Sequence, residues 1–206
     1  MDLSGAFPPE WGAFGRSLRP PTPGALPLPR LLEQLRGAAG GVPRSATVSM
    51  WSQRYLLALV PPVLAAGLCT DRAPPLHLDA AAILPGADGM PDAVCLPGLD
   101  RRGPTDLTGR LLRRHLVPLA DRLMEAGLPA PVLWSNAGYV IAWSLRTIGG
   151  TDAAALLARL QSPFWNGQAN PLPPRVRAAL AGSGRSACCL RFRLPSVARC
   201  SDCPRS

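Results

Sequence analysis

The sequence contains no lysine: all 22 basic residues are arginine, set against 13 acids for a formal net charge of +9. Arginine, alanine, glycine and proline are all abundant, which matches a coding bias toward GC-rich codons. Arginine also grips anions by paired hydrogen bonds. Nucleic-acid binding is not expected, because no dense patch mixes arginine with aromatics. The largest basic runs are Arg101-Arg102 and Arg113-Arg114. Only two histidines occur, His77 and His115, and each reads as structural. No G-x-S-x-G, no P-loop and no G-x-G-x-x-G is present, so hydrolase, nucleotide and dinucleotide chemistry have no motif here. Met1-Asp2-Leu3-Ser4 lacks the basic and apolar regions of a signal peptide. The longest apolar stretch, Leu56 to Leu68, has 13 residues and includes Pro61 and Pro62. A membrane helix needs about 20. It reads as a core helix with a proline break, in a cytoplasmic protein.

What is present suits one well-buried domain: 206 residues, 47% of them hydrophobic. The 25 prolines predict short, well-punctuated elements. Seven of them fall in residues 1–29, which reads as an irregular arm pinned by Phe7, Trp11 or Phe14. A main domain over 30–186 and a C-terminal segment over 187–206, part of the same domain, follow. "LPRLLEQLRGAAGG" (28–41) predicts a short amphipathic helix ended by Gly40-Gly41. Residues 45–69 predict one long helix or two, capped by Ser45 or Thr47 and kinked or divided at Pro61. Residues 76–98 change to period two, with Leu76, Leu78 and Ala80 alternating against His77 and Asp79, and predict a β-hairpin. Helices are expected over 105–128, starting near Thr105 or Asp106 and ending at Gly127, and over 130–150. Thr151 is expected to cap the next helix, and 173–182 to form the last. The fold class is α+β, helix-dominated, with one or two short β-hairpins and a C-terminal tail.

Four of the six cysteines lie in the last nineteen residues, spaced C-C-x10-C-x2-C: Cys188, Cys189, Cys200 and Cys203. In a cytoplasmic setting such a cluster points to metal or redox chemistry. The Cys200–Cys203 pair is a knuckle that lets two thiolates converge on one centre. The vicinal pair is less usual, since neighbours on a strand point to opposite faces. It can serve one centre if the backbone turns there, or if the centre is large. The linker "LRFRLPSVAR" alternates Leu190, Phe192 and Leu194 with Arg191 and Arg193 and reads as a strand and turn. Spacing alone leaves three readings open: a [2Fe–2S] cluster, a four-cysteine zinc site, and disulfides or free thiols. Cys69 and Cys95 read as buried packing residues.

The terminal C-C-x10-C-x2-C with its following Pro204 resembles the signature of FhuF-type ferric-siderophore reductases. Two further stretches agree, "SATVSMWSQRYLLALVPPVLAAGL" with its small-x-x-S-x-W pattern and "LWSNAGYVIAW" around Trp134 and Asn136. The resemblance covers roughly residues 45–204. It implies that Cys188, Cys189, Cys200 and Cys203 bind a [2Fe–2S] cluster. The implied activity is one-electron reduction of a ferric siderophore, hydroxamate-based or other, releasing Fe(II), which hard oxygen donors hold weakly. With no flavin or nucleotide motif, the electron would come from a donor protein such as a ferredoxin or flavin reductase. No transmembrane segment is expected, and a peripheral place at the inner membrane is compatible. Arg191, Arg193 and Arg199, with Asp202, are expected on a wet face, where the arginines would raise the cluster potential and dock donor or substrate. Leu190, Phe192 and Leu194 should face the core. Trp134, Asn136, Trp51 and Trp143 are candidates to line a ligand face near the cysteines. The competing functions are a zinc-stapled module that binds protein or nucleic acid, and a [2Fe–2S] carrier or sensor without a siderophore substrate.

Overall fold

The structure, a computed structural model, describes residues 9, 12, 16–37, 43–69, 74–98, 107–165, 167–182, 184–195, 197–198, 200, 203 and 204. Phe7, Trp11, Phe14, Thr105, Asp106, Arg199 and Asp202 lie outside them.

One apolar helix organises the core. Helix α2 (Arg44–Cys69) is long and apolar enough to cross a membrane by length and composition, yet 72% of its most apolar window is buried inside the fold. It packs against α5 (Ala130–Ile148) on one side and strand β4 (Pro91–Cys95) on the other. Ser45 and Thr47 fall inside α2 instead of capping it, and the Pro43 carbonyl accepts from the N–H groups of Ala46 and Thr47. Pro61 and Pro62 do not divide the helix. A proline lacks the N–H that would bond the carbonyl four residues back, so Pro62 frees the carbonyl of Ala58. Ser17, from the proline-rich arm, donates its hydroxyl to that carbonyl at 2.8 Å. The arm thus satisfies the group that the helix leaves unpaired.

The arm is also more regular than its composition implies. It supplies β1 (Leu18–Arg19) and β2 (Leu26–Pro27), the outer strands of a sheet ordered β1-β4-β3-β2, where β3 is Ala82–Pro85. β1 runs parallel to β4, with Leu18 opposite Val94. β2 and β3 are antiparallel, with Leu26 opposite Ile83. Both arm strands are two residues long and at an edge, where proline is tolerated. The β3–β4 hairpin forms as expected, but its first half does not: Leu78–Ala80 is a 3-10 turn and His77 sits in extended chain before it. Helix α1 (Leu28–Gly37) follows β2 and packs against the Leu78–Ala80 turn, burying Leu28 and Leu32.

Residues 107–125 form one helical run: α3 (Leu107–Arg110), a π-helical stretch Leu111–Leu116, and α4 (Val117–Glu125). The widened turn comes just before Pro118, whose missing donor would otherwise break the ladder. It turns His115 into the core, fully buried, with Nε2 on the Tyr55 hydroxyl. Trp51, Tyr55 and His115 stack in sequence, with ring centroids 5.3 and 5.7 Å apart. Burial lowers the His115 pKa to about 4, the Leu76 backbone pulling the other way. The run ends at Gly127, at φ +95, with the Leu128 N–H reaching the Leu123 carbonyl.

Helix α6 spans Gly150–Leu160, so Thr151 lies within its first turn and Gly149, at φ +71, holds the cap position. A two-residue-loop hairpin, β5 (Phe164–Trp165) and β6 (Gln168–Ala169), leads to α7 (Pro173–Leu180), which starts on two prolines. α7 lies so close to α5 that a Cβ on Gly138 would meet the Arg175 Cβ at 2.5 Å.

Candidate metal centre

The chain leaves α7 and returns along the α2–α5 seam, where polar side chains on both helices hold it. Ser135 of α5 accepts from the Ala187 N–H at 3.0 Å and donates to the Ala187 carbonyl at 3.3 Å. Ser49 of α2, fully buried, donates to the Cys189 carbonyl at 2.6 Å. Asn136, also fully buried, donates to the hydroxyls of Ser49 and Ser52 at 3.4 Å each. Its amide oxygen accepts from the Arg185 guanidinium at 2.6 Å. That guanidinium lies over the Tyr139 ring, 4.4 Å from its centroid. Serine and asparagine inside an apolar helix pair are costly unless fully bonded. Here they bond one another and the backbone of the tail. The tail is therefore registered one residue before Cys188 and at Cys189 itself.

The linker corrects the sequence reading. Arg191–Arg193 is a 3-10 turn, not a strand, and Leu190 takes φ +62. A left-handed residue followed by a tight turn reverses the chain at once, as a vicinal cysteine pair requires in order to serve one site. Strand alternation therefore does not apply. Phe192 is 37% exposed and does not face the core; Arg193 lies on it at 5.7 Å. Leu190 packs against the core from a half-buried position. Arg191 is half-buried instead of exposed, and its Nε is buried with no acceptor among the described residues. Arg193 is exposed.

The four thiols face one another as two pairs. The Cys189 and Cys200 sulfurs are 3.6 Å apart, much longer than a disulfide at about 2.05 Å. Cys188 and Cys203 interact through their side chains. The Cys188 thiol is pushed up first by burial and further by Cys203 and Cys189, against a lowering bond from the Leu190 backbone. Cys189 and Cys203 are buried, Cys188 and Cys200 half-buried. Among the described residues, no three His, Cys, Asp or Glu side chains converge on a point that could hold a single metal ion.

The pattern described as "Ferric iron reductase FhuF-like transporter" matches residues 49–185, well over half of the chain. The chain belongs to this FhuF-like family. A second pattern, "FhuF 2Fe-2S C-terminal domain", matches residues 185–205 and so takes in all four cysteines. The "Ferric siderophore reductase" of Escherichia coli (strain K12) is 30% identical over 172 residues, 76% of this chain and 64% of that protein. The chain thus spans just under two thirds of its relative's length. The matched spans agree with the region of resemblance read from the sequence.

Among the other residues singled out from sequence, Asn136 lies in the network that ends on Cys189, Trp134 is half-buried against the core, and Trp51 is buried under Tyr55. Cys95 is buried as expected, but Cys69, at the last position of α2, is exposed. Ser49, Ser52 and Ser135 were not read as site residues. The signal for Ser49 was the serine of the small-x-x-S-x-W stretch, five residues into an apolar helix where a hydroxyl needs a partner.

Proposed function

We propose that this FhuF-like chain is a [2Fe–2S] oxidoreductase that reduces a ferric siderophore by one electron in the cytoplasm, releasing Fe(II). The observation that carries the reading is the arrangement of the cysteines in two facing pairs on a tail fixed to the α2–α5 seam. Cys189 and Cys200 would hold one iron, Cys188 and Cys203 the other. A cluster bound there supplies a one-electron carrier whose charge is negative in both oxidation states. Arg191 suits that charge, since its buried Nε has no acceptor among the described residues and lies two residues from Cys189. Ser49, Asn136 and Ser135 keep the tail backbone in register, so the thiols stay where the metals need them. Arg193, exposed on the linker between the half-exposed Cys188 and Cys200, offers a cationic surface to an electron-donor protein. The name of the E. coli relative supports the siderophore as substrate.

Metal and sulfide analysis tests the cofactor. Protein made with ample iron and sulfide should carry two irons and two acid-labile sulfides per chain and absorb visible light. Stoichiometric zinc without sulfide under those conditions would overturn the reading.

A further inference from the structure

Cys189 and Leu190 share a peptide group that is engaged at both ends. Its carbonyl accepts from the Ser49 hydroxyl at 2.6 Å. Its N–H belongs to Leu190, whose backbone bonds the Cys188 thiol and favours the thiolate, as a donor does. Leu190 holds this place at φ +62, a conformation that persists in a leucine when its surroundings impose it. The bond from helix α2 and the bond to a cysteine sulfur therefore meet on one amide plane.

Behind Ser49 the chain of bonds continues. Asn136 donates to the Ser49 hydroxyl at 3.4 Å, and its amide oxygen accepts from the Arg185 guanidinium at 2.6 Å. Every link runs in the same sense: guanidinium to amide, amide to hydroxyl, hydroxyl to peptide carbonyl, peptide N–H to sulfur. Hydrogen bonds aligned in this way polarise and strengthen one another. The chain starts on a positive charge that deprotonation does not remove. Asn136 and Ser49 are fully buried, so water does not screen its middle links. The Tyr139 ring holds the guanidinium from one face, its centroid 4.4 Å from Cζ.

Arg185 is not what anchors the tail. Ser135 bonds the Ala187 backbone, Ser49 bonds Cys189, and Arg175 bonds the Ser186 hydroxyl at 3.2 Å. These bonds hold the backbone without a charge at Arg185. A cation at the head of the chain has a different use, because a reduced cluster carries one more negative charge than an oxidised one. Hydrogen bonds to cluster sulfurs and nearby positive charge both favour the reduced form.

We propose that Arg185 is a positioning residue that raises the reduction potential of the cluster, acting through Asn136, Ser49 and the Cys189–Leu190 peptide on the bond to the Cys188 sulfur. This rests on the [2Fe–2S] reading and holds whichever siderophore is the substrate.

Anaerobic redox titrations of cluster-loaded protein, followed by visible absorbance at fixed pH and ionic strength, test this. Arg185→Gln should make the cluster harder to reduce, by on the order of three- to tenfold in the equilibrium constant, where tenfold is about 59 mV for one electron. Arg185→Lys keeps the charge and a donor and should restore most of the difference. Arg185→Gln made in a Ser49→Ala background should have much less effect than in the wild type, because the chain is already cut. An unchanged potential in Arg185→Gln would overturn the proposal. So would an equal shift in both backgrounds, since a charge acting through space does not need the hydroxyl. Failure of Arg185→Gln or Ser49→Ala to hold a cluster would assign that residue to holding the tail and overturn the tuning role. Zinc in place of iron would defeat the [2Fe–2S] reading and the proposal with it, whereas an iron–sulfur protein whose potential ignores Arg185 would defeat the proposal alone.

Discussion

Replacing Ser49 with alanine should loosen the cysteine tail more than it loosens the fold. The hydroxyl donates to the Cys189 carbonyl at 2.6 Å and accepts from Asn136, and both residues around it are buried. Alanine fits the space but leaves that carbonyl and one amide donor unpaired. A buried polar group left unsatisfied costs about 1–3 kcal/mol. Because the lost bond joins tail to helix, much of the cost falls on docking of the tail, with α2 retaining its own ladder. Taking about 2 kcal/mol, the undocked tail becomes on the order of 30-fold more populated. Cluster loss to an excess of chelator, followed by bleaching of visible absorbance, should accelerate toward that factor if release proceeds from the undocked tail. Urea unfolding of the same variant should show a drop of no more than about 2 kcal/mol. A release rate within a factor of two of wild type would refute the role given to Ser49 in registering the ligands. An equal effect from Ser144→Ala would also refute it, because among the described residues Ser144 bonds the Val140 carbonyl of its own helix and not the tail.

Gly138→Ala should destabilise by about 1–3 kcal/mol in urea titration, because the new methyl would lie 2.5 Å from the Arg175 Cβ and 3.2 Å from its backbone carbon, forcing α7 away from α5. His115 is held neutral, with a pKa lowered to about 4 from an ordinary 6.5. Its contribution is therefore complete above about pH 6.5 and is lost as pH falls toward 4, by roughly 3 kcal/mol in all; His115→Gln should flatten the stability–pH curve in that window. Cys69 should react with a thiol reagent in the native protein, and Cys95 only after unfolding.

The fold class was legible because its main signals are long-range in composition and short-range in pattern. The apolar run of α2, the glycine stops at Gly127 and Gly149, and the prolines opening α7 each act within a turn or two, and each led to the right element. The misreadings share a cause: tertiary contacts outvoted local preference. Pro61 and Pro62 read as a break, since nothing local shows that Ser17, more than forty residues away, would satisfy the Ala58 carbonyl that Pro62 frees. The alternation over 190–194 read as a strand, but Leu190 takes a left-handed conformation and Arg191–Arg193 form a 3-10 turn, which alternation alone does not reveal. The Asn-Gly pair inside Trp-Asn-Gly-Gln at 165–168 is a local hairpin signal, and Trp165 and Gln168 pair across it. At the site, the cysteines announced themselves by spacing. Their supporting serines did not, because a serine in a helix is uninformative until the backbone it bonds is known.

The central claim is most directly tested by anaerobic mixing of the dithionite-reduced, desalted protein with a ferric siderophore, with Fe(II) captured by a coloured chelator. The account predicts one Fe(II) per chain in a single turnover, and none from the Cys200→Ser protein. Full-strength Fe(II) release from Cys200→Ser, or no release from the fully loaded wild type with either a catecholate or a hydroxamate complex, would contradict it.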